Sequence, residues 1–325
     1  MRILLVKTSS LGDVIHNLPV VTDLCAHFPG AAIDWVVEEG FAEIPRLHPG
    51  VRRVIPVALR RWRKSLFAAA TWQEMRTFRA ELKEQSYDLV IDTQGLLKSA
   101  LIARMASGKR CGYTATAARE LLAARFYDAH FDVPKNLHAV LRNRQLAALA
   151  AGYAAAPALD YGIAVACPRS GIPGTQSEPA PTFDGVSAIL LTATSRDDKL
   201  WPQERWIEVG RALHALGLTC LLPAGSTIER ERAARIAQSI PGAGVLPPMS
   251  LAGLAAQLAA ARIVIGVDTG LVHLAAALGR PVLALFSASD PALTGVLAGT
   301  PAINLGSRGR PPGVDAVLTA AAPLL

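Results

Sequence analysis

Residues 1–21 read M-R-I-L-L-V-K-T-S-S-L-G-D-V-I-H-N-L-P-V-V, and their order decides the class of fold. An apolar run at 3–6 ends at Lys7 and gives way to hydroxyl residues. Gly12 then permits a tight backbone path, and an apolar segment with helical spacing follows from Val14. Strand, short loop and helix make the first half of a βαβ unit. The apolar run is too short for a signal peptide, so it predicts a buried first strand.

The same rhythm extends outward. Strand-like runs at 33–37, 54–57 and 89–91 are interleaved with helical patterns at 14–28 and 72–84. It restarts with strands at 188–191, 219–222, 263–267 and 282–286 and helices at 204–216, 229–239, 251–260 and 271–278. Such alternation predicts an α/β fold with doubly wound parallel sheets. A chain of 325 residues suits two such cores better than one. Between the two series, Pro168, Gly171, Pro173, Gly174, Pro179, Pro181 and Gly185 mark a linker. The expected organisation is a domain at 1–167, a linker at 168–185 and a domain at 186–325, with the last helix free to pack back on the first domain. Open α/β sheets bind ligands beyond the carboxyl ends of their strands, so two facing domains predict an interdomain cleft.

With 51% hydrophobic and 18% charged residues, the composition excludes a disordered protein. The longest apolar candidate for a membrane span, 251–267, is interrupted by Gln257 and Arg262. Cys25, Cys111, Cys167 and Cys220 lack paired spacing, which argues against a zinc site or a disulfide framework and fits a cytoplasmic protein. A formal charge of +7 and a pI near 9.5 favour an anionic partner, without choosing among nucleic acid, phosphorylated small molecules and membrane surfaces.

Four stretches carry chemistry. In T-S-S-L-G-D-V-I-H-N-L-P, residues 8–19, Asp13 stands at a helix start, either as an N-cap or as a general base. In V-D-T-G-L-V-H-L, residues 267–274, a strand ends at Asp268-Thr269-Gly270 and a helix follows at once. Its N–H groups and dipole suit a diphosphate, with the Thr269 hydroxyl nearby and His273 in the first turn as a contact or a packed core residue. In T-A-T-S-R-D-D-K-L-W-P, residues 192–202, Thr194 and Ser195 can donate to phosphate oxygens and Lys199 can neutralise a departing diphosphate. The fourth is basic: Arg60, Arg61, Arg63 and Lys64 flank Trp62, with Lys98, Arg119, Arg142 and Arg144 in the same half. No helix-turn-helix, zinc-finger or RNP pattern supports nucleic acid, and neither a Walker A sequence nor G-x-G-x-x-G is present. The D-T-G triplet and D-T-Q-G at 92–95 superficially suggest an aspartic protease, but their βα context argues against it.

Together with D-T-Q-G-L-L-K-S-A at 92–100, these stretches resemble glycosyltransferase family 9, the ADP-heptose heptosyltransferases, over nearly the whole chain. The likeness is to the branch that adds the first inner-core heptose. It implies a GT-B architecture of two facing Rossmann-like domains. It further implies inverting transfer of L-glycero-D-manno-heptose from ADP-heptose to the first Kdo of Kdo2-lipid A, at the cytoplasmic face of the inner membrane. By resemblance Asp13 is the base and Lys199 assists the leaving group. Thr194, Ser195, Lys199, Glu229, Met249, Asp268, Thr269, Gly270 and His273 form the donor side. Ser10, Gly12, Arg60, Arg61, Arg63, Lys64, Lys98, Arg119, His138 and Arg142 form the acceptor side. For Glu229 the plain alternative is a helix-start carboxylate, and for Met249 it is core packing. No metal ligand set is evident, so no obligatory cofactor is expected, with magnesium at most a modulator. The anionic membrane surface is an expected peripheral partner and nucleic acid is not. Two rival readings stay open: another nucleotide-sugar transferase or epimerase, and a non-catalytic binder of nucleotides or polyanions.

Overall fold

The computed structural model describes residues 1–164 and 186–325, which divide into two compact units, Met1–Ile163 and Ala164–Leu325. The expected linker at 168–185 lies outside the described residues.

The first unit holds strands β1 (Arg2–Val6), β2 (Ala32–Glu38), β3 (Val51–Val57), β4 (Ser86–Asp92), β5 (Ser107–Tyr113) and β6 (Ala129–Phe131). They pair in parallel in the order β3-β2-β1-β4-β5-β6. Central β1 is covered on both faces, and Ile3, Leu4, Leu5 and Val6 are fully buried. That is why its sequence is continuously apolar rather than alternating. The single helix expected at 14–28 is two, Leu11–Ile15 and Leu18–His27. Pro19 has no N–H to continue the first helix and fits the opening turn of the second.

The second unit repeats the plan with β7 (Ser187–Leu191), β8 (Thr219–Leu222), β9 (Gly244–Val245), β10 (Ile263–Val267), β11 (Val282–Phe286) and β12 (Ala302–Gly306). Its order is β12-β11-β10-β7-β8-β9, again all parallel. Trp201 and Trp206 anchor its core edge to face at 5.1 Å, and the Trp201 indole N–H donates to the Pro312 carbonyl at 3.0 Å. The last helix, Val314–Ala321, which the sequence left open to pack back on the first domain, buries Val317 and Ala321 in this unit's core. Among the described residues no helix is long and apolar enough to cross a membrane.

Each sheet starts in its middle, runs to one edge and returns to the other side. The order therefore reverses between β1 and β4 and between β7 and β10, and ligand sites of such sheets form at those points.

Candidate functional site

In the first unit the β1 strand delivers Lys7 and the loop that follows it. Ser10 is the N-cap of helix Leu11–Ile15 and Asp13 is its N3 residue, so the N-cap reading of Asp13 is corrected: the carboxylate sits inside the first turn and reaches back to the capping residue. Asp13 Oδ2 accepts from the Ser10 N–H at 3.0 Å and its hydroxyl at 3.3 Å.

The segment after β4 holds that loop in place. Gln94 accepts from the Thr8 and Ser9 N–H groups at 3.1 and 3.3 Å and donates to the Ser9 carbonyl at 2.6 Å. Buried Asp92 fixes this segment in turn, accepting from the N–H of Gln94 and Gly95 and from the hydroxyls of Ser99 and Tyr127. D-T-Q-G is thus a structural clamp, and protease chemistry has no footing. Lys98 donates to Ser9 Oγ at 3.1 Å. Gly95 has φ +67, and a Cβ there would press on Tyr113 at 3.0 Å and on the Arg119 backbone N at 3.4 Å. Its freedom from a side chain lets the segment carrying Arg119 approach.

Arg119 meets the carboxylate directly, with Nη2 2.7 Å from Asp13 Oδ1 and Nη1 3.4 Å from Oδ2. Burial alone would push the Asp13 carboxyl up, but the charges of Lys7 and Arg119 outweigh it and hold it well below the usual carboxylate range. Lys7 is 2% exposed, and its ammonium donates to Thr93 O at 2.9 Å and Asn143 Oδ1 at 3.2 Å. Burial brings it down to about 8, against the pull of Asp13. Arg142 lies over the Tyr113 ring at 4.8 Å and donates to the Ala117 carbonyl at 2.7 Å, which braces the Arg119 segment. His138 caps helix Ala139–Ala151 and meets the His16 ring edge to face.

The basic residues 60–64 follow β3 at the same end of the sheet. Glu38 links them to the β1 loop: its N–H donates to Thr8 O at 3.0 Å, and its carboxylate accepts from the Arg60 N–H at 2.9 Å. Their charges are not equivalent. Arg61 is bound by Glu39 at 3.0 Å and Glu74 at 2.9 Å, and Arg60 lies over Phe41. Arg63 and Lys64 are exposed. Arg144, read from sequence only as one of several cations, is 3% exposed and fully engaged with Asp23 at 2.7 Å, a structural pair.

In the second unit the loop after β7 and the loop after β10 converge. Lys199 Nζ lies 2.6 Å from Asp268 Oδ2, and the Thr194 hydroxyl donates to the Asp268 carbonyl at 3.1 Å. The Ser289 hydroxyl, from the loop after β11, also donates to Asp268; no motif in the sequence singled it out. Ser195 is exposed beside this cluster in sequence, and Met249 is half-buried after β9. Thr269 is the N-cap of helix Gly270–Ala277 but makes no side-chain cap bond, which leaves first-turn N–H groups available. Gly266 sets this helix close to the sheet, since a Cβ there would lie 2.6 Å from Val272 and 2.7 Å from Leu191. His273 is 4% exposed. Glu229 takes the helix-start role: its carboxylate accepts from the N–H of Gly225 at 2.8 Å and Ser226 at 3.0 Å in a capping box.

A family model described as glycosyltransferase family 9 (heptosyltransferase) matches residues 75–316. Lipopolysaccharide heptosyltransferase 1 of Escherichia coli strain K12 is 47% identical over 297 residues, covering 91% of this chain and 90% of that protein. The Pseudomonas aeruginosa protein of the same name is 49% identical over 310 residues, covering 94% and 84%. Among solved structures, E. coli heptosyltransferase WaaC with ADP matches with a TM-score of 0.91 at 43% identity over 100% of both chains. WaaC with ADP-2-deoxy-2-fluoro heptose matches at 0.88 and 42%, also over 100% of both.

Proposed function

The chain belongs to glycosyltransferase family 9, the heptosyltransferases, and from that premise we propose that it moves heptose from ADP-heptose to the first Kdo of Kdo2-lipid A with inversion at the anomeric carbon. The observation that carries the reading is Asp13: an ionised carboxylate at the end of the central strand, shielded from water to 16% exposure and ringed by cations.

In this reading an acceptor hydroxyl attacks the anomeric carbon, the glycosidic C–O bond to ADP breaks, and Asp13 takes the hydroxyl proton. Both carboxylate oxygens already accept hydrogen bonds, Oδ2 from Ser10 and Oδ1 from Arg119 Nη2 at 2.7 Å, so Arg119 has to yield an oxygen to the acceptor hydroxyl. Arg119 holds the carboxyl low, which makes it a weak base. An acceptor carboxylate or phosphate drawn to Arg119 would relieve that hold and raise the basicity as the substrate seats. On the donor side, Lys199 and the first-turn N–H groups of helix Gly270–Ala277 meet the diphosphate as its charge grows. Asp268 orients the Lys199 ammonium, and we assign Thr194, Ser195, Thr269 and Gly270 to the same phosphates. Glu229, Met249 and His273 go to the nucleoside side. Arg63 and Lys64, free of the carboxylates that occupy Arg61, go with Ser10, Gly12, Lys98, Arg119, His138 and Arg142 to the anionic acceptor. The protein supplies the positive charge, so no obligatory metal takes part, and the site of action is the cytoplasmic face of an anionic membrane.

Mass spectrometry of products from ADP-heptose and Kdo2-lipid A is the test. A single added heptose on the inner Kdo, undiminished by a chelator, is expected. Release of ADP without a glycosylated acceptor, or epimerised donor alone, would overturn the reading.

A further inference from the structure

Past the basic loop the first unit carries a feature that heptose transfer does not use. Residues 66–70, Leu-Phe-Ala-Ala-Ala, are all exposed, with Phe67 wholly outside the protein, Leu66 at 49% and Trp72 at 54% exposure. A soluble surface scatters such side chains singly, whereas a contiguous apolar projection marks an interaction site.

The projection is built rather than frayed. At its base Trp62 is buried against Phe78 and its indole N–H donates to Glu74 at 2.7 Å. The Ser65 and Thr71 hydroxyls bond across its neck at 3.2 Å, and the Ala68 N–H donates to Ser65 O at 3.1 Å. Helix Ala69–Lys83 then leads back to the sheet. The tip is therefore held outward from a fixed neck.

Charge identifies what covers it. Arg63 and Lys64, which directly precede the apolar tip, and Arg76, one helical turn past Trp72, are exposed, while the carboxylates Glu39 and Glu74 are already taken up by Arg61. An apolar tip flanked by exposed cations that form no ion pair among the described residues matches an anionic lipid surface, where the ring and leucine enter the acyl boundary and the cations stay among the headgroups. We propose that residues 66–72 form a membrane-insertion wedge that docks this unit on anionic bilayers. For its biological sense this rests on the lipid-bearing acceptor proposed above.

The test uses the full chain and vesicles of phosphatidylcholine with or without phosphatidylglycerol. Cosedimentation should require phosphatidylglycerol and weaken with salt. Leu66→Ser/Phe67→Ser should lower partitioning by about 10- to 100-fold, whereas Phe67→Tyr alone, which keeps the ring, should retain most of it. The double variant should keep its melting temperature, because both side chains are exposed, and its turnover on a Kdo acceptor without acyl chains. Unchanged vesicle binding by the double variant would overturn the proposal. So would wild-type self-association that the double variant abolishes while vesicle binding persists, since the tip would then serve a second copy. Vesicle binding needs no heptose transfer: a chain that docks through residues 66–67 but makes no heptosylated product would defeat the proposed function and leave the wedge standing, and the converse result would do the reverse.

Discussion

A single carboxylate separates the two ways of reading the first loop. Asp13 closes a capping box and also stands among the charges a base needs, so stability and turnover must be measured on one variant. Asparagine at N3 can still accept from the Ser10 N–H through its amide oxygen, so Asp13→Asn should melt close to wild type and bind ADP normally. It cannot take the acceptor's proton, and kcat should fall by about two to four orders of magnitude. Near-normal turnover would leave the carboxylate a structural cap. Lys7 gives a second handle. Its buried ammonium helps hold the Asp13 carboxyl down, so Lys7→Met should let that carboxyl rise and move the acid limb of kcat/KM to higher pH. A pH profile that kept its acid limb in place would show Lys7 to be electrostatically idle. Asp13 was legible in sequence because loop, glycine and carboxylate are adjacent. Lys7 and Gln94 were not, because their roles arise from β4 lying beside β1, a pairing some eighty residues away in the chain.

At the scale of elements, legibility followed burial. The strands covered on both faces, such as β10 and β11, are continuous apolar runs and were read to the residue. Strand β5, S-G-K-R-C-G-Y, starts exposed and polar and carries two glycines, so neither hydrophobic period nor β propensity reported it. Two-residue β9 is too short for any period. Helix packing also brings in groups that sequence cannot weigh. His48 follows the short helix Glu43–Arg46 and packs under Gly162, whose φ of +64 leaves no room for a Cβ beside the ring. Its Nδ1 accepts from the Gly50 N–H at 3.0 Å, so Nε2 carries the proton and donates to Thr22 Oγ1 at 3.0 Å. Burial lowers it to about 4 from 6.5, with Asp160 opposing. The folded state therefore binds fewer protons than the unfolded chain between these values. Stability should be full above pH 6.5 and fall as pH drops toward 4, with a slope of at most about 1.4 kcal/mol per pH unit. His48→Gln should flatten that part of a melting-temperature profile; an unaltered slope would place the acid sensitivity elsewhere.

For the whole molecule, one strand order is used twice with different loops at the strand ends. The first sheet ends in an acidic residue among cations, the second in a lysine beside an uncapped helix start, and the alternation of strands and helices foretold the common plan. The proposed division of roles rests on loops, whose side chains choose partners only once the strands are placed. Ligand-linked stability tests that division across the chain. A ligand that binds only the native state raises stability by RT ln(1 + [L]/Kd), about 2.7 kcal/mol at a hundredfold excess over Kd. ADP should therefore raise the melting temperature of wild type. Lys199→Ala removes a cation 2.6 Å from Asp268 at the assigned diphosphate site, so the ADP shift should shrink markedly. Asp13→Asn and Arg63→Ala/Lys64→Ala alter only the first unit and should keep the full shift, while the latter raises the acceptor KM and leaves the ADP-heptose KM unchanged. The contrast holds only if nucleotide and acceptor are read by separate units. A full ADP shift in Lys199→Ala would take Lys199 out of the diphosphate site, its loss in Arg63→Ala/Lys64→Ala would mean that the basic loop of the first unit grips the nucleotide, and both together would exchange the donor and acceptor assignments.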